Sequence, residues 1–182
     1  AISDGTGQER LQIWSESLGI WKQYPVFGLG EGLIVDEIGV VSHNSFLQCY
    51  AELGFFGGTA FLASFLAAGL SLWSQRRVES NQVRNPNAIP SADREHRRLC
   101  GFLFAALMAC AVAMLTISRQ FVAPTYLILG LVSAANFIPL NQGLGTDVVG
   151  LRVDNRFLLT SLIASVASLL AYYLIVRLFV HW

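Results

Sequence analysis

The order of apolar and polar positions divides the chain into an amphipathic N-terminal segment and four long apolar runs. A helix of about 20 apolar residues crosses the hydrocarbon core of a membrane and satisfies its own backbone there. We therefore predict membrane-spanning helices over residues 46–74, 99–118, 123–140 and 157–180. Four such runs in one short chain fit poorly with the buried helices of a soluble protein. The expected fold class is an all-α polytopic membrane protein whose four-span domain covers residues 46–182.

The first 45 residues follow a different pattern. Between residues 10 and 24, apolar side chains recur at three- and four-residue steps, which predicts an amphipathic helix with one face made of Leu11, Trp14, Leu18 and Trp21. Two tryptophans on that face suit a helix at the membrane interface, although packing against the spans fits the pattern equally well. The glycines of residues 25–32 predict a turn-rich loop, which is not a nucleotide-binding fingerprint because no strand–helix unit flanks it.

Composition and charge support a membrane protein and suggest its orientation. The chain of 182 residues is 54% hydrophobic and 13% charged, whereas soluble domains carry about a quarter charged residues. Arginines concentrate in residues 75–98 and recur in residues 141–156, which the positive-inside rule places in the cytoplasm. Residues 1–45 and Arg119 then lie on the extracytoplasmic side. A basic loop can also bind nucleic acid or anionic lipid, but this one lacks interleaved aromatic residues, and we expect no nucleic-acid partner.

The three cysteines show no spacing that suggests a metal site. Cys49, Cys100 and Cys110 all lie in apolar runs without a CxxC pattern. We interpret them as small core residues, and we expect no bound metal.

Polar side chains mark the start of the first predicted span. If a helix begins near Ser42 as its N-cap, Asn44, Gln48 and Glu52 follow at four-residue spacing and share one face. Because lipid would penalise that face, we expect it to point at protein or at a water-filled cavity open to the outside. His43 lies at its mouth, where an imidazole can take a proton from an attacking hydroxyl. A lone histidine is nevertheless more often structural.

Two arginines, Arg10 and Arg119, are expected on the same outer side as His43. The guanidinium fork matches phosphate oxygens, so arginines beside a polar cavity can hold an anionic lipid-linked substrate. For Arg119 we favour the simpler interpretation of contact with lipid headgroups.

Three motifs follow one another between residues 7 and 58: Arg10-x-x-x-Trp14, then Pro25-x-x-Gly28-x-Gly30, then His43-Asn44, which nine intervening residues separate from Gly54-x-x-Gly57. This order resembles the O-antigen ligase and O-antigen polymerase superfamily of bacterial envelope enzymes. The members of that family are longer and have more spans, so the chain resembles the C-terminal half of one.

The resemblance implies a transferase that moves a glycan from undecaprenyl diphosphate to an acceptor hydroxyl at the periplasmic face of the bacterial inner membrane. The acceptor is a lipid A-core sugar in ligases, another lipid-linked glycan in polymerases, and a protein serine or threonine in related members. No nucleotide sugar, metal or other cofactor would be required.

The resemblance also assigns roles to residues of the motif region. It implies His43 as the catalytic base, Arg10 as a contact for the diphosphate, and Asn44 as the residue that orients His43 or a sugar hydroxyl. Together with Arg10 and Asn44, the expected substrate-binding residues are Trp14, Gln48, Glu52 and Arg119.

Two other functions remain open on the sequence. Some relatives in the superfamily are labelled as bicarbonate-transport proteins, which makes a membrane carrier the main alternative. A carrier places its polar groups near the bilayer midplane, whereas Asn44, Gln48 and Glu52 cluster at one end of a predicted span, which favours chemistry at the surface. An inactive structural remnant is the third possibility.

Overall fold

The computed structural model describes residues 5–82, 91–118, 122–141 and 154–180, which are helical almost throughout. No strand occurs in these ranges. Their helices are α1 (Gly5–Gln23), α2 (Ile34–Ile38), α3 (Ser45–Gln82), α4 (Ser91–Met114), α5 (Ala123–Asn141) and α6 (Asn155–Phe179). The all-α prediction is confirmed, and each predicted apolar run falls largely in a helix, although the run 99–118 extends four residues beyond the end of α4 at Met114 and the run 157–180 one residue beyond α6.

Two helical stretches are long and apolar enough to cross a membrane, namely Ser45–Gln75 of α3 and Asn155–Phe179 of α6. The apolar stretches of α4 and α5 are shorter and cover Arg98–Met114 and Ala123–Asn136. The part of the chain that the structure describes therefore has two candidate spans, and the four-span topology stays a prediction.

Helix covers most of the segment that we predicted as a cytoplasmic loop. α3 continues to Gln82 and α4 begins at Ser91, so only residues 83–90 separate them. The apolar pattern did not reveal these turns, because their sequence is polar and offers no apolar stripe of helical period. Arg119 and the loop over residues 142–153 lie outside the described residues.

The chain divides into two compact units, and α3 runs through both. The first unit contains α1, α2, α3 up to residue 63, and α6, while the second contains the rest of α3, most of α4, and α5. The motif residues that the structure describes all belong to the first unit.

Helix α1 packs against α6 and α2. The edge of the Trp14 ring meets Tyr172 of α6, with ring centroids 5.8 Å apart and an interplanar angle of 82°. The Lys22 ammonium lies 5.1 Å from the centroid of the Tyr173 ring, and Leu18 is buried. Of the two alternatives for the apolar face of α1, packing against other helices is thus the one observed.

Helix α3 is broken at Gly54, whose φ of 68° and ψ of −167° are not helical. Positive φ suits glycine because a Cβ atom would crowd the backbone there. A break frees carbonyl groups before it and N–H groups after it, and at membrane depth such groups need partners within the protein.

The loop between α1 and α2 supplies those partners. After the break, Phe55 N donates to Pro25 O at 2.8 Å. Before the break, the carbonyl groups of Ala51 and Glu52 accept from Leu29 N and Gly30 N, both at 2.9 Å. The glycine-rich segment is therefore a backbone clamp on the broken helix, more specific than the turn-rich loop that we predicted.

The clamp depends on the close approach of two glycines. Gly28 has a φ of 75°, and a methyl group on it would overlap the backbone carbonyl of Glu52. A methyl group on Gly54 would likewise overlap the carbonyl of Val26. The Pro-x-x-Gly-x-Gly loop and the glycine after the His-Asn pair are thus two sides of one backbone contact.

Helix α6 runs antiparallel to the first part of α3. The hydroxyl of Tyr172 contacts Asn44, just before α3, whereas Ser165 contacts Thr59, further along it. α6 buries Ser161 and Ser165 together with Leu169 and Val176, and it exposes most of its other aliphatic side chains, among them Leu158, Leu159, Leu162, Ile163, Val166, Leu170, Leu174 and Leu178. This distribution is the reverse of that on a water-facing helix.

Candidate functional site

Asn44, rather than Ser42, is the N-cap of α3. Its Oδ1 accepts a hydrogen bond from the backbone N–H of Leu47 at 3.1 Å, which is the usual reach of a cap to the third helical residue. Ser42 lies two residues earlier, and its hydroxyl is directed at the Asn44 carbonyl (3.0 Å) and at Gln48 Oε1 (3.3 Å). The predicted N-cap was therefore wrong by two residues, because the chain turns at His43 before the helix begins.

His43 is the one non-glycine residue with positive φ in the described ranges, at 53°. The left-handed conformation is uncommon for side-chain-bearing residues and persists where the surroundings enforce it. Here Ser42 and Asn44 on either side are both fully buried, whereas His43 is half-buried. Among the described residues, none forms a hydrogen bond with the imidazole.

The polar face predicted on α3 exists and is turned into protein. Gln48 and Glu52 are buried together with Asn44. Gln48 Nε2 donates to Glu52 Oε1 at 2.8 Å, and its own Oε1 faces the Ser42 hydroxyl. The prediction that these three side chains share one face directed away from lipid is confirmed.

Tyr172 of α6 belongs to this cluster and was not predicted. Its hydroxyl donates to Asn44 Oδ1 at 3.2 Å, and its ring forms a T-shaped contact with the ring of Trp14. Trp14 in turn donates from Nε1 to the carbonyl of Ser42 at 3.0 Å. α1 and α6 therefore hold the residues on both sides of His43, and no spacing rule in the sequence links position 172 to position 44.

The side-chain nitrogen of Asn44 is a buried donor for which the described residues offer no acceptor. Oδ1 is identified by its two donors, Leu47 N–H and Tyr172 O–H, which leaves Nδ2 as the donor end of the amide. Within the described residues Nδ2 has no hydrogen-bond partner. Such a group costs about 1–3 kcal/mol when left unpaired, so an oxygen of water or of a ligand would be stabilised there.

Of the two arginines expected near His43, the structure describes Arg10 but not Arg119. Arg10 is exposed on α1, one helical turn before Trp14 and on the same side of the helix. Among the described residues, none forms an ion pair with its guanidinium. Arg119 lies outside the described residues.

The side chains of the described ranges bring no three metal-ligating residues together.

A second polar cluster lies deeper in the same unit, between α3 and α6. The Tyr50 hydroxyl is 2.9 Å from Ser165 Oγ and 3.2 Å from Ser168 Oγ, and Thr59 Oγ1 is 2.7 Å from Ser165 Oγ. Gly58 makes room for this arrangement, because a methyl group on it would overlap the Tyr50 ring. These bonds fasten α6 to α3 below the candidate site.

The second unit has a polar network of its own. Gln75 Oε1 lies 3.0 Å from His96 Nε2 and 3.1 Å from Cys100 Sγ, and Gln75 Nε2 donates to Asn136 Oδ1. Asn136 Nδ2 then donates to Ser71 Oγ at 3.2 Å.

The interpretation of the cysteines as core residues holds for Cys49 and Cys100, which are buried, and less well for Cys110, which is partly exposed.

Comparison of the chain with protein-family models, with curated proteins and with solved structures found no match. The resemblance to the O-antigen ligase superfamily therefore stays a hypothesis that depends on the motif residues.

Proposed function

We propose that the chain belongs to a membrane glycosyltransferase that moves a glycan from undecaprenyl diphosphate to an acceptor hydroxyl at the periplasmic face of a bacterial inner membrane. The observation that carries the proposal is the placement of His43. It stands half-buried on a constrained left-handed turn between two buried polar residues, at the edge of the Ser42–Asn44–Gln48–Glu52 cluster.

The distribution of polarity supports a position in the membrane. Both helices bury polar groups beside apolar ones: α6 exposes most of its leucines and buries two serines, and α3 buries Gln48, Glu52 and Ser71 while it exposes Phe56 and Leu70. In water these helices would leave large apolar areas unprotected, whereas lipid favours apolar side chains outside and polar groups inside.

Contacts at the two ends of α3, each taken within its own unit, support helices that pack side by side. The start of α3 meets the end of α6 through Asn44 and Tyr172. It also meets the segment after α4, because the Ser45 hydroxyl donates to the carbonyl of Ile117. At the other end of α3, Gln75 meets His96 near the start of α4 and Asn136 near the end of α5. Within the first unit, α3 and α6 run in opposite directions, as two neighbouring membrane spans can.

The proposed reaction assigns one task to each group. The acceptor hydroxyl oxygen attacks the anomeric carbon, the bond from that carbon to the diphosphate oxygen breaks, and undecaprenyl diphosphate leaves with the bonding electrons. His43 takes the acceptor proton, a role typically worth 10²–10⁴-fold in rate. Arg10 stabilises the charge that develops on the diphosphate. The unpaired Nδ2 of Asn44 holds a sugar hydroxyl or the acceptor oxygen.

The decisive experiment compares glycan transfer by the full-length protein in a bacterial host that lacks its own ligase and polymerase. We expect His43→Gly to abolish transfer while its membrane abundance stays normal, because glycine accepts the left-handed turn at position 43. Added imidazole should restore part of the activity by replacing the missing base.

His96→Ala is the matched control, since it removes a histidine from the other unit and should leave transfer nearly unchanged. Transfer at the wild-type rate by His43→Gly would refute the base assignment. Lipopolysaccharide separated on a gel distinguishes the two forms of the proposal: transfer of preformed glycan to lipid A-core indicates a ligase, and lengthening of the lipid-linked glycan indicates a polymerase.

A further inference from the structure

We infer that the end of α1 and the loop after it form a lipid anchor that inserts into the bilayer at its outer hydrocarbon boundary. The anchor consists of Tyr24, Val26 and Phe27 together with Phe56 of α3, four apolar side chains with exposed fractions of 48%, 46%, 80% and 63%. The occupant of this surface is the acyl-chain region of the surrounding phospholipids.

The depth of the anchor follows from the contact between Phe27 and Phe56. Their ring centroids are 6.3 Å apart, so the two rings lie at nearly the same level. Phe56 belongs to the candidate span Ser45–Gln75. The tip of the loop is thereby continuous with the lipid-facing surface of a helix that is apolar enough to cross the membrane.

Helix length places that level at the edge of the hydrocarbon. After the break at Gly54 the candidate span continues to Gln75, about 21 residues or roughly 32 Å at 1.5 Å per residue, which matches the roughly 30 Å of the hydrocarbon core. Arg76 and Arg77 follow directly and fix the inner end. About 20 residues counted back from Gln75 reach the break at Gly54, so Phe56 lies just inside the outer boundary.

The loop backbone is suited to this depth. The N–H groups of Gly28, Leu29 and Gly30 donate to backbone carbonyls of Tyr24, Ala51 and Glu52, respectively, and Pro25 has no N–H group. Irregular backbone is tolerated at membrane depth when the protein satisfies its polar groups. The clamp on the α3 break therefore also permits the loop to enter lipid.

Charge agrees with the same boundary. Residues 23–30 carry no charged side chain, whereas Lys22 and Glu31 flank them directly. Tyr24 is of the kind that collects where hydrocarbon meets headgroups, and the two phenylalanines suit the hydrocarbon beside it. The first turns of α3 and His43 then lie above this boundary, at the level of the phosphate groups.

The inference depends on the membrane placement in the proposed function but not on the glycan chemistry. Its test uses the photoreactive residue p-benzoyl-phenylalanine in place of Phe27, in the full-length protein reconstituted into vesicles of phosphatidylethanolamine and phosphatidylglycerol. Two matched positions serve as references: 56, on the candidate span, and 8, on the exposed start of α1. After illumination, mass spectrometry of the labelled peptides identifies lipid adducts.

We expect phospholipid adducts at positions 27 and 56 in comparable yield, and at least tenfold less at position 8. Adducts at 56 without adducts at 27 would overturn the anchor and leave the membrane placement intact. If neither position formed adducts, α3 would not be in lipid, and the proposed function would fail with the anchor. Adducts at 27 with polyprenyl lipid only, in native membranes, would assign the surface to the donor and overturn the choice of bilayer lipid.

Discussion

The hydroxyl of Tyr172 donates to Oδ1 of Asn44 across 3.2 Å and thereby joins α6 to the cap of α3 over a separation of 128 residues. The same oxygen accepts the backbone N–H of Leu47. One contact thus fixes the start of the helix, the orientation of the Asn44 amide, and the position of the residue that follows His43.

Removal of that hydroxyl should destabilise the protein modestly and impair the site. We expect Tyr172→Phe to lower the free energy of unfolding by about 1 kcal/mol, the net value of one hydrogen bond. Because the Asn44 amide would lose one of the donors that orient it, glycan transfer should fall by up to about tenfold. Denaturant unfolding in detergent and the transfer assay measure the two effects.

The neighbouring tyrosine provides the control for this prediction. Tyr173 meets Lys22 through its ring rather than its hydroxyl, so Tyr173→Phe should change neither quantity appreciably. Equal effects of the two substitutions would mean that the hydroxyl of Tyr172 has no special role in orienting Asn44.

The sequence predicted those parts of the site that are close together along the chain. Four-residue spacing was sufficient to place Asn44, Gln48 and Glu52 on one face, because helical geometry fixes such neighbours. The order of the motifs also linked Trp14 with the segment around His43. In the structure, Trp14 Nε1 donates a hydrogen bond to the Ser42 carbonyl of that segment. The wrong N-cap shows the limit of local rules, since Ser42 and Asn44 are both good caps and the turn at His43 decides between them.

Contacts between distant segments could not be predicted in this way. Nothing near Tyr172 distinguishes it from Tyr173, and only the packing of α6 on α3 selects it. The clamp between Gly28 and Gly54 was also hidden, although both glycines were named in the motif. A glycine marks a backbone that needs room or positive φ, but it does not show which segment approaches it.

Substitution of Gly54 should break the clamp. Its φ of 68° disfavours a side chain by about 1–2 kcal/mol, and the added methyl group would overlap the Val26 carbonyl. Since overpacking typically costs a further 1–3 kcal/mol, we expect Gly54→Ala to lower the free energy of unfolding by about 2–5 kcal/mol. Limited proteolysis should then cleave the loop over residues 25–30 faster than in the wild type.

Gly69 gives the matched comparison in the same helix. A methyl group there would make only ordinary contacts, the nearest at 3.9 Å to Leu107 and Met108. Because alanine favours helix over glycine by up to about 1 kcal/mol, Gly69→Ala should be neutral or stabilising. A neutral Gly54→Ala variant would contradict the structural role of the break.

Gly58 should prove to be coupled to Tyr50. A methyl group on Gly58 would overlap the Tyr50 ring and displace its hydroxyl from Ser165. We expect Gly58→Ala to cost about 1–3 kcal/mol in the wild type and clearly less in a Tyr50→Leu background, where the ring is absent. A double-mutant cycle on unfolding free energies measures this coupling, and simple additivity of the two effects would refute the proposed contact.

Gln75 should stabilise the network of the second unit through both ends of its amide. Its oxygen lies within hydrogen-bond distance of His96 and Cys100, while its nitrogen donates to Asn136. Gln75→Leu keeps a similar volume but removes every one of these bonds. Because a polar group left without its partner costs about 1–3 kcal/mol, we expect a loss of that size in the free energy of unfolding.

Thiol labelling reports the same change locally. In the native protein, maleimide should modify the partly exposed Cys110 faster than the buried Cys49 and Cys100. Gln75→Leu should raise the labelling rate of Cys100 severalfold and leave that of Cys49 unchanged, since Cys49 belongs to the first unit. Gln12→Leu, on the exposed surface of α1, should alter neither rate, because surface substitutions rarely shift stability by more than about 0.5 kcal/mol. Equal acceleration at Cys49 and Cys100 would indicate global loosening and would contradict a local role for Gln75.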